Sequence, residues 1–503
     1  MISFDWCAVA CELPGSRARA GTVGARASHD QLRQARCGVP APGPPLLVME
    51  TSELWQHGAM LRLVVFALLG SSCSQMMMTV DGGAGGGRGG GGAGGGAAAA
   101  FTIVELDANA RGLFSLAMAV DPADGRVVVA YFTPRNTQTV MGVEDLNLNV
   151  VEWRNGVTTP PQTIRFMQRT PGVALALHPT TKEPTVAFMG GPDRFIPTGP
   201  SVFWFQHDAS LATRSGTTWT EVAARTTGDV CTNAGAPANG SVVGLFPALR
   251  FDAMGRVVFA YRDIRFAQNN TDYTGSDLES MEGPLGALTP RCVFEGFNTK
   301  PGLGGRLMMV AGPNDETVLV ADQNVTGADT VGQDVVMMRR TATGWTPPTV
   351  VLSSGDTQTG PQVAWDPMLG YAVAAIRGSI LTYRQSANAS TWENEETVVS
   401  EGSGGWYPSL AIDPVSHDPS LAYYACSRSS GVAVTDCQTS QDALRVVSRG
   451  GGRWQTPVTV DEEGGWSPKL GFFATGKRVI AYRVANTTDG SARAGVLKLA
   501  IER

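Results

Sequence analysis

Gly405-Trp406-Tyr407-Pro408-Ser409-Leu410-Ala411-Ile412-Asp413-Pro414, followed after a turn by Leu421-Ala422-Tyr423, decides the fold, because versions of it return along the chain. They begin at Gly112 (GLFSLAMAVDPADGRVVVAY), Gly172 (GVALALHPTTKEPTVAF), Gly244 (GLFPALRFDAMGRVVFAY), Gly304 (GGRLMMVAGPNDETVLVA), Gly360 (GPQVAWDPMLGYAVAA), Gly405 and Gly465 (GWSPKLGFFATGKRVIAY). Each reads as an apolar inner strand, a tight turn and a return strand that often ends in Ala-Tyr or Ala-Phe. Turns such as Asp121-Pro122-Ala123-Asp124-Gly125 and Asp252-Ala253-Met254-Gly255 hold the residue types that tight turns use. Seven copies of one supersecondary unit predict a closed ring sharing one core.

Outside these hairpins, further strand pairs surround a Trp at Phe203 to Trp219, Val335 to Trp345, Ile380 to Trp392 and Leu444 to Trp454. The first copy carries its Trp on the third strand, Val150-Val151-Glu152-Trp153, and the third copy replaces the pair by Asp277 to Glu282 and Cys292 to Phe297, without a Trp. Four strands per copy make a propeller blade, so the expected fold is an all-β, seven-bladed β-propeller. The last copy supplies only three, ending on Val496 to Ile501. The orphan strand Phe101-Thr102-Ile103-Val104-Glu105-Leu106 is the piece that would complete it and remove two open sheet edges.

The propeller is thus expected over 101–503, and the chain before it divides in three. Residues 1–59 have no apolar period and are expected to be disordered, or untranslated upstream sequence. Residues 60–73 follow signal-peptide grammar: Arg62, then Leu63 to Leu69, then Gly70-Ser71-Ser72-Cys73. The apolar run is far short of the ~20 residues that span a bilayer. Residues 74–100 include a Gly/Ala tract interrupted by Arg88, a flexible tether with a root-mean-square span of about 25 Å.

The end of that signal resembles a bacterial lipoprotein signal, with Ser72 before Cys73, although Gly70 stands where Leu is usual. The resemblance implies lipidation of Cys73 and an extracytoplasmic domain, anchored in a bacterial envelope or secreted. The repeats resemble those of secreted bacterial seven-bladed propellers and, more distantly, the sialidase and Asp-box superfamily. Gly216, Thr218 and Trp219 match the Asp-box Ser-x-Asp-x-Gly-x-Thr-Trp, while Ala212 and Arg214 occupy its Ser and Asp positions; Thr391-Trp392 and Gly451 with Trp454 are poorer echoes. A sialidase would need three Arg around a carboxylate and a Tyr nucleophile. Arg135, Arg262, Arg377, Arg428 and Arg483 end second strands without a spacing that ties them together, and Tyr131, Tyr261, Tyr423 and Tyr482 hold the repeated Ala-Tyr position, which points to packing.

Other chemistry is sparsely signalled. Charged residues are 17% of the chain, net charge is −6 and no basic block occurs, so nucleic acid is not an expected partner. His178, His207 and His417 sit at unlike positions, so no metal or other cofactor is expected. Asp121, Asp252, Asp366 and Asp413 recur as turn residues. Asp322, Asp329 and Asp334 share a loop that could hold calcium, but without EF-hand spacing. The Gly82 to Gly96 run has no flanking strand or helix and is no phosphate loop.

Cys7, Cys11 and Cys37 precede the signal, leaving Cys231, Cys292, Cys426 and Cys437, an even number in an exported chain. Three pairings are possible, and locality favours Cys426 with Cys437 and hence Cys231 with Cys292. The leading functional expectation is a monomeric surface module that binds a glycan or envelope protein. A sialidase-like hydrolase or lyase, and a scaffold subunit of an envelope assembly, are the alternatives. Candidate ligand contacts are Phe114, Trp406, Tyr407 and Trp466 as stacking rings, with Arg135, Arg194 and Arg265 as polar partners beside Asp193 and Asp263; the competing reading makes those rings wedges between blades.

Overall fold

The structure, a computed structural model, describes residues 101–134, 146–167, 172–190, 208–225, 230–231, 241–265, 277–296, 302–324, 334–353, 358–377, 380–400, 403–426, 443–485 and 494–503. Each hairpin of the repeat forms as expected, and two further strands extend it outward, giving seven four-stranded antiparallel blades. In chain order the innermost strands are the second half of Phe101–Asp121, then Val173–Leu177, Ser241–Phe251, Gly302–Ala311, Gln358–Asp366, Ser403–Ile412 and Trp466–Phe472. Each lies against the next, and the last returns to the first, so they enclose an axial channel.

Closure uses the N-terminal strand. Phe101–Asp121 pairs through Phe101↔Glu502 to Arg111↔Ala494 with the last strand of the chain, then through Leu116↔Tyr131 to Asp121↔Arg126 with blade 1. One strand is the outermost of blade 7 and the innermost of blade 1, which joins the two blades into a single eight-stranded sheet.

Second strands are buried on both faces, which is why they read as nearly unbroken apolar runs rather than alternating ones. In blade 3, Val257, Phe259 and Tyr261 pack with Ala187, Ala209 and Leu211 of blade 2, while Val258 and Ala260 pack with Leu319 and Ala321 of blade 4. Opposite faces of one strand thus feed two seams, as the two-residue period requires.

Each Trp of the outer strand pairs closes a seam against the preceding blade. Trp219 Nε1 donates to Gln162 of blade 1 at 3.0 Å, and Trp345 Nε1 to Glu282 of blade 3 at 3.0 Å. Trp454 meets Tyr383 edge-on at 5.1 Å, Trp153 lies 6.2 Å from Phe473, and Trp392 packs with Val351 and Leu352. Arg214, in the place of the Asp-box Asp, bridges Glu183 and Glu152 across the same kind of seam.

The recurring acids do turn work. Asp252 Oδ1 accepts from the Met254 and Arg256 amides, Asp366 Oδ1 from those of Met368 and Leu369, and Asp413 Oδ1 from that of Val415. His178 holds the equivalent place in blade 2, where its Nδ1 accepts from the Thr180 and Thr181 amides. Cys231 and Cys292 form a disulfide that ties the approach to blade 3 to that blade's outermost strand, Thr289–Phe294. Cys437 lies outside the described residues, as does the Cys426 side chain, although the Cys426 backbone ends the strand Pro419–Cys426.

Candidate functional site

A bulge interrupts the innermost strand in several blades, and it shapes the channel. Pairing slips between Leu245 and Ala248, Leu303 and Leu307, Thr359 and Gln362, Trp406 and Ser409, and Trp466 and Lys469. The residue at that place takes a positive φ in three blades, Phe246 (49°), Gly360 (67°) and Ser467 (52°), as does Gly172 (112°) just before the strand of blade 2. In four blades a Pro follows, Pro247, Pro361, Pro408 or Pro468, and lacks the N–H that a ladder would use. A bulge bends its strand and re-aims the side chains beside it. Neighbouring bulges also touch: a Cβ on Gly172 would lie 3.0 Å from Pro247 Cδ, and one on Gly360 3.5 Å from Pro408 Cδ.

Arg306 sits within the bulge of blade 4. Its Nη1 would be 3.3 Å from a Cβ on Gly360, so glycine in blade 5 leaves the room that the guanidinium occupies. Lys469 follows the bulge of blade 7, opposite blade 4 in the ring. Other blades carry Ala117, Ala174, Ala248, Met308, Gln362 and Ser409 at that position. Lys469 is half-buried although protein surrounds it, and among the described residues no acid pairs with it. Burial, reinforced by the Arg306 charge, pulls its ammonium down to about 8.

Two more charges join this pair from second strands. Two residues beyond the repeated Ala position stand Phe132, Met189, Ile376 and Tyr424 in four blades, but Arg262, Asp322 and Arg483 in the other three. Asp322 is buried, and its Oδ1 has no hydrogen-bond partner. Burial lifts its carboxyl to about 7 in spite of Arg306 and Arg262, which pull the other way. Arg306 thus links two neighbours, the proton-sensitive Asp322, which Arg262 also faces, and Lys469, in a protein of net charge −6.

The residues expected from sequence distribute differently. Trp466 is 2% exposed and stacks on Tyr424 of blade 6, with centroids 4.6 Å apart and planes 27° from parallel. That is the environment of a wedge between blades. The backbones of Phe114, Trp406, Tyr407 and Arg265 lie in strands, but their side chains, like Arg135, Asp193, Arg194 and Arg428 entirely, lie outside the described residues. Arg377 forms an ion pair with Glu395 at 3.1 Å, Asp263 and Arg483 are buried, and Tyr131 and Tyr482 donate to Asp107 and Asp461 at 2.6 and 2.5 Å. Asp329 is outside the described residues, and among those described no group of three His, Cys, Asp or Glu could hold a metal. Sequence reasoning named Arg262 and Asp322 for other roles and missed Arg306 and Lys469. The available signal was a charge at a repeat position where sister copies carry small or uncharged residues.

No family model and no curated protein matches the chain. Among solved structures, a polysaccharide lyase of family PL25, an ulvan lyase bound to a GlcA(1-4)Rha3S unit, is 12% identical and aligns over 79% of this chain and 95% of its own, with a TM-score of 0.51. The likeness is one of fold. An α-L-arabinanase of Penicillium chrysogenum complexed with arabinobiose aligns over 80% of this chain and 98% of its own (11% identity, TM-score 0.43). The NanB sialidase of Streptococcus pneumoniae aligns over 79% and 69% (9% identity, TM-score 0.41). These two scores are too low to bear on function.

Proposed function

We propose that the propeller is an exported, lipid-tethered recognition module that binds an acidic glycan in the channel, from the end where blade follows blade. The observation that carries this is the grouping of Lys469 with Arg306, and of Arg306 with Arg262 about Asp322, with Lys469 unpaired by any described acid. Arginine and lysine in a low-dielectric recess favour a carboxylate or sulfate that arrives with its own charge. Tyr407 holds, in blade 6, a place in the bulged stretch corresponding to that of Arg306. In this reading Cys73 carries the lipid and 74–100 is the tether. An array of acidic and neutral glycans tests the idea. Acidic sugars should bind and their neutral counterparts should not, and Arg306→Ala or Lys469→Ala should each weaken binding at least about tenfold, the cost of one charge-assisted contact. Equal binding of neutral sugars overturns it. Replacing Cys73 by Ala should abolish fatty-acid incorporation and release the protein from membranes.

A second reading has one observation in its favour. A lysine whose ammonium is lowered to about 8 is partly neutral at mildly alkaline pH and could abstract a proton from a uronic acid, as a lyase requires. Unsaturated product from a uronic-acid polymer, lost in Lys469→Ala, would support it. Tight binding without product would leave the module non-catalytic.

A further inference from the structure

We infer that Asp322 is a proton-linked gate on this site: an anion held by Arg306 competes with the Asp322 carboxylate for the same positive field, so it enters together with a proton taken up by Asp322. The inference rests on the acidic-glycan reading and adds its regulation. Asp322 belongs to the second strand of blade 4, beside the innermost strand that carries Arg306. It is buried, its Oδ1 lacks a hydrogen-bond partner, and the two charges acting on it are Arg306 of its own blade and Arg262 of blade 3. A fixed structural ion pair would have its oxygens satisfied. This carboxyl instead balances between burial, which favours the acid, and two guanidinium groups, which favour the anion.

A second anion on Arg306 tips that balance in one direction. It removes part of the attraction that keeps Asp322 ionised and adds repulsion of like charge, so the acid form wins. The bound complex then holds more protons than the free protein, and linkage makes affinity fall as pH rises through the free value of about 7. Above that point the loss approaches roughly tenfold per pH unit for one linked proton. Lys469 adds to the fall as pH approaches and passes about 8, where it loses its own charge. The two ranges adjoin, so single substitutions at Asp322 and at Lys469 are what tell the groups apart.

The test is titration calorimetry of the full chain with a glucuronate-containing oligosaccharide between pH 5.5 and 8, in two buffers of different ionisation enthalpy. Wild type should take up most of one proton per ligand near pH 7.5, a count that needs no variant. Asp322→Asn should lose most of the uptake and hold nearly constant affinity from pH 6 to 7, while Lys469→Ala should bind more weakly but keep most of the uptake. Binding without proton uptake in the wild type, or uptake unchanged in Asp322→Asn, overturns the gate and leaves the acidic-glycan reading standing. No binding at any pH overturns both.

Discussion

Tyr424 and Asp322 occupy the same position of the repeat, two residues beyond the repeated Ala position, yet they meet opposite surroundings. At the seam between blades 6 and 7, Tyr424 is stacked by Trp466, and the Leu470 amide donates to Ser409 Oγ at 2.9 Å. Polar groups there serve packing. At blade 4 the equivalent side chain is a carboxyl with an unsatisfied oxygen, flanked by arginines. The repeat fixes where a side chain points. Its identity then decides whether the position holds blades together or holds charge beside the channel, and a charge without a packing role is where a ligand is expected.

The difference can be attacked first from the packing side. Trp466→Ala should cost about 3–5 kcal/mol in urea unfolding, as expected for emptying a buried aromatic site. A variant of unchanged stability that no longer binds would move the ring from the seam to the ligand. Replacing Cys231 and Cys292 together by Ser should cost about 2–4 kcal/mol, with strain able to reduce it, and should leave glycan affinity alone because the bridge lies at the outermost strand of blade 3. Trp345→Phe keeps the ring volume but loses the donor to Glu282, so unfolding should show about 1–2 kcal/mol lost.

Smallest are the effects at the channel, where signs matter more than sizes. The folded value of Asp322 is raised, so the stability it contributes is complete below about 4 and is lost as pH rises through about 7. The folded value of Lys469 is lowered, so its destabilising effect is complete below about 8 and is relieved as pH climbs toward the unfolded 10.5. Thermal melts should therefore show wild type losing ground to Asp322→Asn between pH 4 and 7. Lys469→Met should keep a constant advantage below pH 8 that shrinks above it, with shifts of about 2–4 °C. Flat differences for both variants would place these side chains in ordinary solvent.

Legibility in the sequence followed the same division. Strands, turns and ring closure were readable because each depends on local chemistry repeated many times: Asp at the turn, Gly at its end, apolar runs where a strand is buried twice. The outer Trp residues were located correctly as blade markers, although Trp219 opens the fourth strand of blade 2, Thr218–Arg225, and Trp345 precedes that of blade 4, Thr349–Ser353. Arg306 and Lys469 were not readable as a pair. They are 163 positions apart (469 − 306), on innermost strands that only closure of the ring sets around one channel. Aromatic residues drew attention instead, since a ring beside a glycine looks alike in a seam and at a binding surface.

The chain enters the propeller at Phe101, paired with Glu502 at the end of the molecule where the inner hairpins turn, and it climbs from there toward the opposite end. A tether drawn from residue 100 therefore pulls along the axis of its own strand. Force so applied shears the hydrogen bonds to Ala494–Glu502 together instead of unzipping them one at a time, and the strand's second half is held again by Arg126–Pro134. Closure by the N-terminal strand thus makes a mechanical clamp against force applied along that strand.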